Sequence, residues 1–184
     1  ATHDIVMSVN NIDRVNSGMS ITATIAPHKA RLENRADGSI LMTSGYAVPD
    51  PVPNTGNWLH HWAAKASDRV FLAERSGEGW RELPYGEVLQ TVRAVAAGLL
   101  AEGLAPGDRL AILSSNSVDH GLICLAAQYV GIIPIPVAEQ YSLIEGAHDR
   151  LVYVLTKTKP AMVYVSDAAQ YGAALKLEVM QGLK

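Results

Sequence analysis

The chain has 184 residues, 48% of them hydrophobic, and a formal net charge of −3. That length predicts one domain with at most an added arm, and enough apolar residues for a sizeable core. The near balance of charge, with Lys and Arg scattered, excludes nucleic acid as an implied partner.

Cys124 is the single cysteine, so no internal disulfide is available, and its setting in CLAA reads as a packed core thiol rather than a nucleophile. The longest apolar stretch, Gly121 to Val137, is broken by Gln128, Pro134 and Pro136 and is too short to span a membrane. The N-terminus carries Asp4 and no apolar core of signal-peptide kind, so a cytoplasmic location is expected.

In chain order, residues 1–30 lack periodicity and read as an irregular arm. Asp37-Gly38 is a two-residue hairpin signal between RLENRA and SILMT. Pro49, Pro51 and Pro53 then form an extended connector. A helix starts at Thr55 or Asn57 and runs to about Ala66, with Trp58, Trp62 and Ala66 at four-residue steps. His60 and His61 are adjacent, point to different sides, and read as solvated or capping rather than as a metal pair. RVFLAER and WREL flank the loop SGEG, a hairpin. Its glycines fail as a phosphate loop because no third glycine follows and no helix opens there. Pro84 opens a helix with a stripe of Val88, Val92, Val95 and Leu99, stopped by Gly103 and Pro106.

Asp108 to Val137 is the organising stretch. Arg109 to Leu113 is an apolar run without alternation, as in a strand covered on both faces. Ser114 to Ser117 is a polar break with an N-cap at Asn116 or Ser117. Val118, Leu122, Leu125 and Tyr129 have helical spacing, Gly131 suits a left-handed helix end, and Ile132 to Val137 is a second strand, necessarily parallel to the first. The pattern then repeats. Ser142 and Glu145 fit a capping box for a helix ended by Lys159-Pro160, Ala161 to Val165 is a third strand, and Asp167 caps a last helix from Ala168 to about Gln181.

The fold expected is therefore α/β, an open and mainly parallel sheet with flanking helices, preceded by an irregular arm and hairpins. The division expected is 1–57 for the arm, hairpin and Pro-rich connector, and 58–184 for the α/β part. Ligands in such sheets sit beyond the carboxyl ends of the strands. Asn116, Ser117, Tyr141 and Ser142 are the polar residues best placed there as substrate- or cofactor-facing candidates, although capping helices and closing turns is the plainer reading of all four. No dinucleotide fingerprint, Walker loop or nucleophile elbow follows any of the three strands, His120 and His148 have no evident triad partner, and no metal site is expected. The residues by themselves describe an α/β domain without a complete active site.

From about Arg35 to Asp167, however, the chain resembles the N-terminal part of the adenylate-forming enzymes, the superfamily of acyl-CoA synthetases and luciferases. LHHWAAKASDRVFLAE is similar to that family's opening helix and following strand. WRELPYGEVLQTVRAVAAGLLAEGLAPGDRLAILSSNS is similar to its "W-x-x-L-T-Y-x-E-L" segment, long helix and "G-x-x-x-G-D-R-V-A-I" strand. AAQYVGIIPIPV is similar to "A-x-x-x-A-G-A-x-x-V-P-V". Within the superfamily, RADGSILMTSG, LHHWA, DRVFLAER and YSL are most similar to feruloyl-CoA synthases, which act on hydroxycinnamic acids in phenylpropanoid degradation. Pro84 departs from the usual Thr or Ser before the Tyr, and Val137-Ala-Glu-Gln-Tyr141 departs from "V-S-P-A-Y".

The resemblance implies an ATP-dependent aryl-acid–CoA ligase that uses Mg²⁺ and coenzyme A, with an aryl acid, ATP and CoA as small-molecule partners. It also implies that the Ser/Thr/Gly-rich phosphate loop and the catalytic Lys lie beyond Lys184. On that reading none of the matched positions is catalytic and the 184 residues are inactive alone. They are also expected to self-associate through a bare strand edge, with Met162 to Val165 the favoured one. The reading from another class is a stand-alone α/β binding or interaction module.

Overall fold

The computed structural model describes residues 15–16, 19–20 and 27–184. The chain divides into two compact units, residues 1–51 and 52–184, with the division inside the proline-rich run. Most of the expected arm, residues 1–30, lies outside the described residues.

The first unit contains two antiparallel pairs. Strands β1 (Val15–Asn16) and β2 (Met19–Ser20) pair with each other. Strands β3 (Ala30–Asn34) and β4 (Ile40–Ser44) form the hairpin expected from Asp37-Gly38. Its loop is one residue longer than that dipeptide signals. Arg35 N–H donates to Ser39 O at 2.9 Å and Gly38 N–H to Arg35 O at 3.1 Å, leaving Ala36, Asp37 and Gly38 as the loop. Gly38 has φ +85°, the left-handed residue that completes a turn with a bulge. The Asp37 carboxylate accepts from the hydroxyl and the N–H of Ser39, which holds its pKa below the usual carboxylate value.

The second unit opens with helix α1 (Thr55–Lys65). Its cap is Asn54, one residue before the expected start, and the Asn54 side-chain oxygen accepts from Asn57 N–H at 3.0 Å. Gly56 is buried, and a Cβ there would lie 3.0 Å from a ring carbon of Tyr129. The missing side chain therefore lets α1 lie close against the helix that carries Tyr129. Strands β5 (Val70–Ser76) and β6 (Gly79–Pro84) form the second hairpin, and only Gly77 and Glu78 of SGEG remain as its turn. Helix α2 (Tyr85–Ala101) follows Pro84 and buries Val88, Val92, Ala96 and Leu99. It ends as expected at Gly103, with φ +86°. Leu104 N–H reaches back to Leu99 O at 3.2 Å, and Gly103 N–H to Leu100 O at 2.9 Å.

The organising stretch folds as read. Strand β7 (Arg109–Leu113), helix α3 (Val118–Tyr129) and strand β8 (Ile133–Pro136) follow in turn, with β7 and β8 parallel and Gly131 at φ +77°. Strand β9 (Met162–Val165) joins β7 on its other side, also parallel, so the sheet order is β8-β7-β9. Every residue of β7 from Leu110 to Leu113 is fully buried. Alternate side chains feed two cores, as the pleat requires. Leu110 and Ile112 pack with Val88, Val92, Leu122 and Ala126 on the face of α2 and α3. Ala111 and Leu113 pack with Leu151, Leu155 and Tyr171 on the other face. The absence of alternation in RLAIL thus has its physical cause in cover on both sides.

Two expectations after β8 are corrected. Ser142 does not open a capping box. It lies inside a one-turn helix, α4 (Gln140–Leu143), while Glu145 begins a 3₁₀ turn (Glu145–Ala147). Helix α5 (His148–Thr158) starts only at His148 and has no side-chain cap. The extended backbone at Ile144 (φ −101°, ψ 113°) breaks the path, and the His148 ring Nε2 meets Ser142 O at 3.1 Å across the break. The helix ends at Lys159, in the left-handed region at φ 46°, just before Pro160.

The last helix is likewise not continuous. Asp167 Oδ1 does accept from Ala169 and Gln170 N–H, at 2.7 and 3.1 Å. Beyond it lie a turn, the short helix α6 (Gly172–Leu175) and a 3₁₀ turn (Glu178–Met180). The core contacts are Tyr171, Ala174, Leu177, Val179 and Met180. The expected bare edge at Met162 to Val165 is partly met from within the chain, since Val163 N–H donates to Lys184 O at 2.9 Å and Lys184 N–H to Ala161 O at 3.4 Å.

Candidate functional site

The carboxyl ends of β7 and β8 are followed by polar segments, Ser114–Ser117 and Ala138–Gln140. Between them lies an open cleft of about 330 Å³ lined by Ser114, Asn116, His120, Val137, Glu139 and Gln140, with neighbouring backbone. This is where an open α/β sheet places a ligand.

Of the four residues expected at this end of the sheet, Asn116 lines the cleft. Ser117 is engaged as the N-cap of α3, its Oγ accepting from His120 N–H at 3.0 Å. Tyr141 is half-buried, outside the lining, with the Arg150 guanidinium 5.6 Å from its ring centroid. Ser142 is 1% exposed, and its Oγ has no hydrogen-bond partner among the described residues. A buried hydroxyl without a partner costs stability rather than adding it. Ser142→Ala is therefore expected to be neutral or stabilising by up to about 1 kcal/mol in urea melts, whereas the capping box would have required a loss of about 1 kcal/mol. A loss of that size would show that the hydroxyl is bonded after all.

Ser114, His120 and Glu139 also line the cleft, though none was among the four candidates. His120 has a partner, Ser114, whose Oγ lies 2.8 Å from Nδ1. No motif announces the pair, because it links a strand end to the first turn of the next helix. Ser114 is 4% exposed, and its hydroxyl donates to Ser115 O at 2.9 Å, so it is not an available nucleophile. On the other wall, Glu139 Oε1 accepts from the buried hydroxyl of Tyr171 at 3.3 Å. Burial raises the Tyr171 pKa, so the phenol stays protonated as a donor.

The amino end of α3 is held by the β5–β6 hairpin. Glu74 Oε2 accepts from Val118 N–H at 2.7 Å. Arg81 bridges Glu74 and Asp119, with 2.9 Å to each. The hydrogen bonds to Asp119 and then Glu74 hold its guanidinium still more firmly protonated. An anion position at a helix start is thus already filled by the protein's own carboxylate.

A second, apolar cleft of about 300 Å³ is bordered by Trp58, Leu59, Trp62, Phe71, Tyr85 and Leu125. Phe71 and Tyr85 stack at 4.4 Å and 9°, and Trp62 lies 6.0 Å from Tyr85. His60, exposed as expected, bonds the Tyr129 hydroxyl at 2.8 Å. Cys124 is half-buried, and desolvation raises its thiol pKa. Among the described residues no group of three or more His, Cys, Asp or Glu could hold a metal ion, and no helix is long and apolar enough to cross a membrane.

This strand–helix–strand architecture is shared with solved adenylate-forming enzymes. The fatty acyl-adenylate ligase of Legionella pneumophila, solved with acyl adenylate and pyrophosphate, superposes with a TM-score of 0.58 at 23% identity, covering 64% of this chain and 21% of that one. The N-terminal domain of FACL13 from Mycobacterium tuberculosis gives 0.58 at 21% identity, covering 69% and 31%. The α/β unit therefore has the fold of the N-terminal subdomain of adenylate-forming enzymes. Residues 59–182, more than half of the chain, match the family model described as AMP-binding enzyme, and the chain belongs to that family. Among curated relatives it is 39% identical over 75 residues to a mitochondrial medium-chain acyl-CoA ligase of Pongo abelii, covering 41% of this chain. It is 30% identical over 80 residues to a salicylyl-CoA synthase / salicylate adenylyltransferase of Streptomyces, covering 44%. These matches span only 11% and 14% of those relatives' own length.

Proposed function

We propose that the chain is the N-terminal part of an ATP-dependent aryl-acid–CoA ligase of the feruloyl type. In that reaction the carboxylate attacks ATP to give an acyl adenylate and pyrophosphate, and the CoA thiol then displaces AMP to give the thioester. The observation that carries the reading is the family match across residues 59–182, which contains the whole Asp108–Val137 unit. The aromatic acid is supported by the resemblance of RADGSILMTSG, LHHWA, DRVFLAER and YSL to feruloyl-CoA synthases.

Among the described residues the polar groups at the sheet end do not form a triphosphate cradle, and the α3 start is filled by Glu74. No converging carboxylates suit Mg²⁺ there either. We therefore assign residues 52–184 the role of scaffold and sheet wall, and take the 184 residues to be inactive alone. Asn116 is the one expected cofactor- or substrate-facing residue that we retain at the cleft. Self-association of the chain belongs to the same proposal and is supported by the exposed Ile133, Ile144 and Tyr153.

The test uses the protein expressed from its complete reading frame, supplied with ATP, Mg²⁺ and CoA and a choice of feruloate, salicylate or octanoate. Thioester formation is expected to be most efficient with feruloate. Preference for octanoate would overturn the aromatic assignment, and no thioester from any acid would overturn the ligase.

A further inference from the structure

Helix α1 turns one face, Thr55, Trp58, Leu59 and Trp62, toward the apolar cleft it shares with Phe71, Tyr85 and Leu125. Packing covers only part of that face. Leu59 is buried and Trp62 half-buried, but Trp58 is 51% exposed, and Phe71 of β5 is 38% exposed. Rings left open to water forgo the burial that ordinarily places them in a core. The recess they border, about 300 Å³, is at the small end of the range for small-molecule pockets.

The rings are ordered. Phe71 and Tyr85 lie nearly parallel, 4.4 Å apart at 9°, and Trp62 lies 6.0 Å from Tyr85 at 27°. Backbone contacts hold the walls. Tyr85 opens α2 and its N–H donates to Arg69 O at 3.0 Å, while the bare Gly56 seats α1 against Tyr129. A preset stack of ring faces favours another flat ring over a flexible chain, which loses more conformational freedom on entry.

The charge around the recess has one sign. No charged side chain lines it. Beside it Lys65, three residues beyond Trp62 on α1, holds its ammonium 5.4 Å from the Trp62 ring centroid. Among the described residues Lys65 makes no ion pair. The Trp62 ring therefore already faces a cation, and a cationic ligand would meet repulsion and no carboxylate. An anion would meet an unpaired ammonium.

We propose that this recess binds a small, flat aromatic anion, with its ring among Trp58, Trp62, Phe71 and Tyr85 and its charged group toward Lys65. The recess shares no residue with the cleft at the strand ends and does not depend on the ligase reading.

The test uses the full 184-residue chain labelled with ¹⁵N and titrated with sodium 2-naphthalenesulfonate. The indole N–H resonances of Trp58 and Trp62 are expected to shift and saturate. Trp80 is the internal control. It has a cation over its ring, Arg75 at 4.4 Å, but lies outside the recess, and its indole is expected to stay in place. Sodium octanesulfonate has the charge without the ring, and 2-naphthylmethylammonium chloride has the ring with the opposite charge. Each is expected to bind about tenfold more weakly. Trp58→Ala, at an exposed position, should weaken naphthalenesulfonate binding about tenfold. Lys65→Met should weaken it about threefold to fivefold, the size of an exposed ion pair. The remaining amide resonances report an unchanged fold in both variants. No saturable response, a Trp80 shift of equal size, equal affinity for either comparison salt, or unchanged affinity in either variant would each overturn the assignment. None of these readouts involves ATP, a carboxylic acid or CoA, so failure here leaves the ligase reading standing.

Discussion

Ile112→Ala is expected to lower the unfolding free energy by about 2–5 kcal/mol. Ile112 lies in the middle of the sheet, paired with Pro136 on β8 and Tyr164 on β9. It is fully buried among the side chains of α2 and α3. Truncation removes the transfer free energy of the lost carbons and leaves a cavity, because neighbours held by strands on both sides cannot close in. Ile133 is the control. It is on an edge strand and 49% exposed, so Ile133→Ala should cost no more than about 1 kcal/mol. Urea melts of both variants decide the matter, and equal losses would mean that β7 is not the centre of the core.

The second large effect is expected at Glu74. Glu74→Ala removes the acceptor of Val118 N–H at 2.7 Å and one of the two partners of Arg81. A charge-assisted bond at a helix start contributes about 1.5–3 kcal/mol when shielded. The Glu74 side chain is 26% exposed, so about 1–2 kcal/mol is expected after discounting for solvent. Arg81 is more open, at 42% exposure, and Arg81→Ala should cost less than about 1 kcal/mol. If the two variants lose equal stability, the ion pair rather than the helix start is what Glu74 serves. Thermal or urea melts with a double-mutant cycle separate these outcomes.

Where local pattern and tertiary packing agree, the fold was legible from residues. RLAIL is buried on both faces and reads so. Gly103 and Gly131 end helices as single left-handed residues, a property set by local backbone sterics. The misses are places where tertiary contacts overrule local chemistry. Ser142 and Glu145 have capping-box spacing, yet burial of Ser142 inside a one-turn helix prevents its use as a cap. Residues 168–181 have helix-forming composition, but the segment folds as short turns whose Tyr171, Ala174 and Met180 are buried in the core. A cleft does lie at the strand ends, where sheet topology places such openings. Its Ser114–His120 pair and Glu139 were not legible, since the first depends on how a strand end meets the following helix and the second on the buried Tyr171 hydroxyl, distant in sequence.

We propose that these residues form the supporting wall of an adenylate-forming ligase and not its reacting centre. Acid-dependent ATP–pyrophosphate exchange, measured on the purified 184-residue chain with feruloate and with a no-acid control, tests it most directly. The account predicts exchange no greater than the control, with the chain folded by circular dichroism. Exchange that rises with feruloate would contradict it, and would locate the triphosphate site within the residues described above.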